Sequence, residues 1–181
     1  MLLHFGAVDQ ICEVILNGTS LGTHEGGYLK FHFDVTEVIN REGENILQVK
    51  VTDTLSKDYP YGKQCKKRGG MWYTPVSGIW KNVWIEGVPT NYIKNLKITP
   101  DLTGIDLELS GDISAFSVVI QLPGQKVLEM HFEGNCGRIE IPKESIRHWT
   151  TEEPYLYDMT VKTECDCIET YFALRTMEMK T

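Results

Sequence analysis

The sequence predicts an all-β chain folded as two β-sandwiches, and three observations predict it. Apolar and polar residues alternate with period two in nearly every ordered-looking stretch, turn dipeptides rich in Gly, Asn and Pro separate those stretches, and helix-period patterns are almost absent. The 181 residues suit two sandwiches of about 100 residues each. In chain order, Val14 and Leu16 alternate with Glu13 and Ile15, and Leu47, Val49 and Val51 alternate with Gln48, Lys50 and Thr52, as half-buried strands do. The pattern returns in Ile105-Asp106-Leu107-Glu108-Leu109, in Val127-Leu128-Glu129-Met130-His131-Phe132, and in Arg138-Ile139-Glu140-Ile141. Asn17-Gly18, Gly26-Gly27, Glu42-Gly43, Pro123-Gly124 and Gly134-Asn135 supply the backbone freedom or fixed φ that tight connections need. Asp34 or Thr36 caps at most one helical turn through Glu37-Val38-Ile39, and another short turn follows Pro142. The short Pro-containing link Gly87-Val88-Pro89-Thr90-Asn91 divides the chain into residues 1–89 and 90–181.

Composition narrows the function classes. The chain is 41% hydrophobic and 24% charged with scattered signs, the balance of a folded globular protein rather than a disordered one. A net charge of -7 argues against nucleic acid as a partner, because such affinity rests on Lys and Arg neutralising phosphates. The one basic cluster, Lys63, Lys66, Lys67 and Arg68, sits in a Gly-rich polar stretch and reads as a solvated loop. Cys12, Cys65, Cys136, Cys165 and Cys167 are odd in number and lack C-x-x-C spacing, so neither a disulfide scaffold nor a zinc site is expected. The five histidines fall in no metal-ligand spacing. No cofactor and no metal are expected. The start, Met1 to Gly6, has no basic region and only a brief apolar run, which is not the pattern of a signal peptide, and no stretch is long and apolar enough for a membrane span.

Several phrases carry more than periodicity does. His4-Phe5-Gly6-Ala7-Val8-Asp9 is followed by Val14-Ile15-Leu16-Asn17-Gly18, then Leu21 to Tyr28, then Phe31-His32-Phe33-Asp34-Val35-Thr36. Asn45 to Asp53, Gly62-Lys63-Gln64, and Trp72-Tyr73-Thr74-Pro75-Val76-Ser77-Gly78-Ile79-Trp80-Lys81-Asn82-Val83-Trp84-Ile85-Glu86 come next. In order and spacing these resemble the amino-terminal sugar-binding, jelly-roll domain of glycoside hydrolase family 2, the β-galactosidase and β-glucuronidase type. The Gly-Ile-Trp form with an upstream Gly-Lys-Gln looks more like the β-galactosidases. Trp149, Pro154-Tyr155-Leu156-Tyr157 and Tyr171-Phe172-Ala173-Leu174-Arg175 resemble the immunoglobulin-like domain that follows in that family. The usual Gly-Phe-Arg is Ala173-Leu174-Arg175 here.

The resemblance implies a carbohydrate partner and accessory, substrate-positioning domains of a retaining glycosidase whose reacting glutamates lie on a separate (β/α)₈ barrel. A retaining enzyme needs two carboxyl groups about 5–5.5 Å apart, one with a raised pKa. Glu13, Glu108, Glu129 and Glu140 instead alternate with core residues and read as solvent-facing, Glu152-Glu153 reads as a polar loop, and Ser77 lacks the Gly-x-Ser-x-Gly elbow. No catalytic residue is therefore assigned. Trp80 and Trp84 share a strand face in this reading and serve core or interdomain packing. Trp72 and Tyr73, after Gly69-Gly70, are the better exposed candidates for stacking on a sugar ring. The resemblance makes Asp53, on the loop after Val49-Lys50-Val51, the best substrate contact. The chain also begins within the family domain, which predicts an unpaired apolar edge at Leu2, Leu3 and Phe5, self-association through it, and a first sandwich less stable than the second. An autonomous carbohydrate-binding module and a two-sandwich adhesion protein are the alternative readings.

Overall fold

The computed structural model describes residues 1–67 and 69–177, and it is almost entirely strand and turn. The chain forms two compact units, Met1–Val88 and Pro89–Thr181. In the first, β1 (Leu2–Phe5) lies between β5 (Phe31–Asp34) and β8 (Val83–Glu86). A second sheet places β3 (Ile11–Leu16) between β4 (Thr19–Glu25) and β6 (Leu47–Thr52), and a short ladder joins β2 (Val8–Asp9) to β7 (Gly78–Ile79). Period-two alternation sends Cys12, Val14 and Leu16 inward, where they meet Leu3, Phe5, Val8 and Val35 in one apolar cluster. The Asn17-Gly18 hairpin has φ of 51° and 81°, the left-handed pair that matches the twist of the flanking strands. The single turn after β5 forms with Asp34 Oδ1 accepting from Thr36 N at 2.9 Å and Val35 O accepting from Ile39 N at 2.9 Å.

The expected open edge at the amino terminus is corrected. Leu2 to Phe5 form the central strand of their sheet, with Leu3 facing Phe33 on one side and Ile85 on the other, and Leu2, Leu3 and Phe5 are buried. The reason is topological: two segments far along the chain return to flank β1, so its backbone groups are paired and its apolar side chains covered. The open edges belong to β5 and β8, and Val83, Trp84 and Ile85 of β8 are exposed.

The second unit packs the sheet β13 (Cys136–Glu140), β10 (Gly104–Ser110), β9 (Asn95–Pro100) together with the sheet β12 (Lys126–Glu133), β11 (Ala115–Leu122), β14 (Tyr157–Lys162), β15 (Cys167–Phe172). All ladders are antiparallel. Ile105, Leu107 and Leu109 interleave with Phe116, Val118, Ile120, Tyr157, Met159 and Val161 in a core larger than that of the first unit. Glu108, Glu129 and Glu140 face solvent. A 3-10 turn, Lys143–Ser145, follows Pro142, and the buried Tyr157 hydroxyl reaches back to that segment. It donates to Ser145 O at 2.9 Å and accepts from Arg147 N at 2.6 Å, tying the connection to the sheet. No helix among the described residues is long and apolar enough to cross a membrane.

Candidate functional site

The first unit holds an open groove of about 270 Å³ at the β2–β7 ladder. Val8 is buried beneath it, so the next residue, Asp9, turns the other way and presents its carboxyl to the groove. Trp80 follows β7 directly. Its Nε1 donates to Gly27 O at 2.8 Å, and Tyr28 meets its ring edge-on with centroids 5.8 Å apart. A Cβ at Gly27 would lie 2.6 Å from Asp9 Oδ1, so any larger residue there would displace the Asp9 carboxyl. Gln64 closes the other side, its Oε1 accepting from Val76 N at 2.6 Å while its side chain also hydrogen-bonds Asp9.

Withdrawal of the Asp9 carboxyl from water, reinforced by the charge of Asp53, pushes its pKa up, and the Gln64 hydrogen bond partly offsets this. Two carboxyl groups thus act on one another here. Asp53 closes the end of β6, its Oδ1 accepting from Leu55 N at 2.9 Å. One carboxyl, an amide and two aromatic rings around one groove can accept from sugar hydroxyls while offering ring faces to C–H groups.

The predicted residues divide. Asp53 stands close enough to Asp9 to shift its proton affinity, but neither it nor Trp72 nor Tyr73 lines the groove itself. Trp72 and Tyr73 are 50% and 64% exposed on the long connection between β6 and β7. That connection is pinned at Gln64, where Tyr73 N donates to Lys63 O at 3.0 Å and Tyr73 O accepts from Cys65 N at 3.2 Å. Lys63, Lys66 and Lys67 are exposed there, and Arg68 lies outside the described residues. The core packing and shared strand expected for the other tryptophans are corrected: Trp80 precedes β8 rather than sharing a strand with Trp84, and both are half-exposed. Trp84 lies on the outer face, stacked on His4 with centroids 4.7 Å apart. Glu86 Oε2 lies 2.8 Å from His4 Nε2, but the geometry does not make a hydrogen bond. Sequence reasoning missed Asp9, Tyr28 and Gln64. The signal for Asp9 was an acid directly after the apolar Ala7-Val8 on a two-residue strand. Among the described residues no group of three or more His, Cys, Asp or Glu side chains is disposed to hold a metal ion.

Comparison with known proteins places this geometry. The model described as glycosyl hydrolase 2 galactose-binding domain-like matches residues 1–77. A β-galactosidase of Thermoanaerobacter pseudethanolicus is 26% identical over 98% of this chain, and a putative β-glucuronidase of Formosa agariphila is 27% identical over 88%. The chain spans 26% of the first and 20% of the second. Among solved structures, the β-D-glucuronidase of Dictyoglomus thermophilum superposes with a TM-score of 0.79 at 23% identity, covering 99% of this chain and 34% of that one, which is a likeness of fold. The groove at Asp9 therefore lies in a unit that matches a galactose-binding-like domain of glycosyl hydrolase 2, and the chain as a whole is similar to β-galactosidases and β-glucuronidases, with two β-sandwiches in succession.

Proposed function

We propose that this chain positions substrate for a glycoside hydrolase acting on β-galactosides, with the first unit walling the sugar-binding cleft. The observation that carries the reading is the groove in which Asp9, coupled to Asp53 and held by Gln64, faces Trp80. Asp53, Trp72 and Tyr73 extend the contact surface along the connection that Gln64 pins. The β-galactosidase relatives, most of whose length lies beyond the part matched here, point to the same substrate class. A (β/α)₈ barrel carrying the reacting carboxylates is the partner this reading requires. Contacts remote from the reacting bond then serve turnover by orienting the sugar, since binding energy realised away from the chemistry can be used to align it.

Titration with galactose, followed by calorimetry and tryptophan fluorescence, tests this. The expected dissociation constant is about millimolar or weaker, because an open groove leaves few contacts to offset the cost of association. Asp9→Ala and Trp80→Ala are expected to abolish the fluorescence response. A dissociation constant of about 1 μM would instead support an autonomous carbohydrate-binding module. Hydrolysis of a nitrophenyl β-galactoside that survives repurification would move the chemistry onto the Asp9–Asp53 pair and overturn the positioning role.

A further inference from the structure

The outer face of the four-stranded sheet in the second unit carries a row of reactive side chains that sugar positioning does not use. Ser117 on β11 lies directly opposite His131 on β12 and Lys162 on β14. Val118 points into the core, so Ser117 and its two cross-strand neighbours project outward together. Ser117 Oγ is 3.1 Å from His131 Nδ1, and His131 Nε2 is 3.3 Å from Glu133 Oε1. A carboxylate only accepts, so Glu133 takes the Nε2–H and holds the imidazole in the tautomer whose bare Nδ1 faces the serine hydroxyl. The hydroxyl donates to that nitrogen. Nucleophile, base and orienting carboxylate thus stand in sequence, an arrangement recognised by roles and geometry rather than by chain order.

Two further features make the row usable. It borders an open groove of about 430 Å³, within the size range of small-ligand sites. Lys162 lines the same groove and is the cross-strand partner of Ser117 on the side away from His131, which puts a cation in the groove where an oxygen gains negative charge when the serine adds to a carbonyl. The groove also carries Asp112, Glu129 and Glu164, a lining that disfavours anions and admits neutral molecules.

We propose that Ser117 is an activated nucleophile and that this groove is a second site, independent of the sugar groove, for hydrolysis of small neutral esters. Ser117 Oγ attacks the ester carbonyl carbon while its proton passes to His131 Nδ1. The bond from the carbonyl carbon to the alcohol oxygen then breaks, and the alcohol leaves with that proton. Water, deprotonated by the same nitrogen, attacks the acyl-serine, releasing the carboxylic acid and restoring the serine. One ester and one water give one acid and one alcohol.

The test treats the whole chain with a fluorophosphonate probe and, separately, with p-nitrophenyl acetate. One adduct per chain is expected, mapped by peptide mass spectrometry to Ser117, with continuous release of p-nitrophenolate. Ser117→Ala removes the adduct, and His131→Asn slows ester turnover by about 100-fold, the lower end of what a positioned base contributes. Glu133→Gln, whose side-chain oxygen still accepts the Nε2–H, slows ester turnover less than Glu133→Ala does. All three side chains lie on the outer face, and unchanged far-UV circular dichroism confirms folding. Labelling that persists at equal level in Ser117→Ala, labelling confined to lysines or tyrosines, or a rate unmoved by His131→Asn overturns the assignment.

Discussion

At the scale of single residues, two side chains show how environment decides what a residue does. The Asp9 carboxyl holds its proton more tightly in the folded chain than the ordinary value of about 3.9 for an unfolded aspartate. The folded state therefore binds more protons than the unfolded one between those two values, and stability falls as pH rises from about 4 through the raised folded pKa. Asp9→Asn removes this penalty. The variant is expected to melt at a higher temperature than the parent at pH 7, with the difference shrinking at pH 4. A gap of equal size at both pH values would contradict the coupling. Tyr157 is the other case. Its hydroxyl is buried and joined to Ser145 O and Arg147 N, so Tyr157→Phe leaves both groups unpaired and is expected to cost about 1–3 kcal/mol in urea unfolding of the second unit.

At the scale of elements, pairing rather than position along the chain decides which segments are firm. β1 has partners on both sides and β8 on one, so backbone amides of Leu2–Phe5 are expected to exchange with deuterium more slowly than those of Val83–Glu86. Equal exchange in the two strands would contradict the assigned order. Gln64 ties the connection between β6 and β7 to Val76 and to Asp9. Gln64→Ala takes the acceptor from Val76 N and the hydrogen bond from Asp9. Limited proteolysis is expected to cut that variant within residues 54–76 several times faster than the parent, and the Asp9 pKa, followed by carboxyl NMR, is expected to rise further. Both effects come from one amide, which makes Gln64 a positioning residue for the groove.

At the scale of the whole molecule, the two units carry separate cores of unequal size. The second buries a broad cluster from Ile93 to Leu174, while the first buries a smaller set around Phe5 and Val14. Each fully buried Leu, Ile, Val or Phe contributes about 1.5–3 kcal/mol, so the difference favours the second unit. Three of the four tryptophans, Trp72, Trp80 and Trp84, lie in the first unit. Unfolding followed by tryptophan fluorescence is therefore expected to precede unfolding followed by far-UV circular dichroism. Coincident transitions would show instead that the two units melt as one. A lower stability of the first unit is thus expected from its smaller core and not from an unpaired first strand.

What the amino-acid order established alone is whatever depends on near neighbours. Alternation marked the buried faces of β3 and β10, Asn17-Gly18 marked its hairpin, and the run of phrases from His4 to Glu86 marked the likeness to a galactose-binding-like domain. These signals survive because strand periodicity and turn conformation are set within a few residues. Asp53, Trp72 and Tyr73 were legible as candidates because they sit on a loop near recognisable phrases. The Asp9 groove was not legible, since Asp9, Tyr28, Gln64 and Trp80 come from four separate segments that meet only when β2 pairs with β7. The central place of β1 was hidden for the same reason, as its partners lie about 30 and 80 residues away. So was the Ser117–His131–Glu133–Lys162 row, which exists only through the register of three strands. Tertiary pairing decided these because distances between segments, and with them desolvation, charge coupling and proton affinity, come into being only when the sheets close.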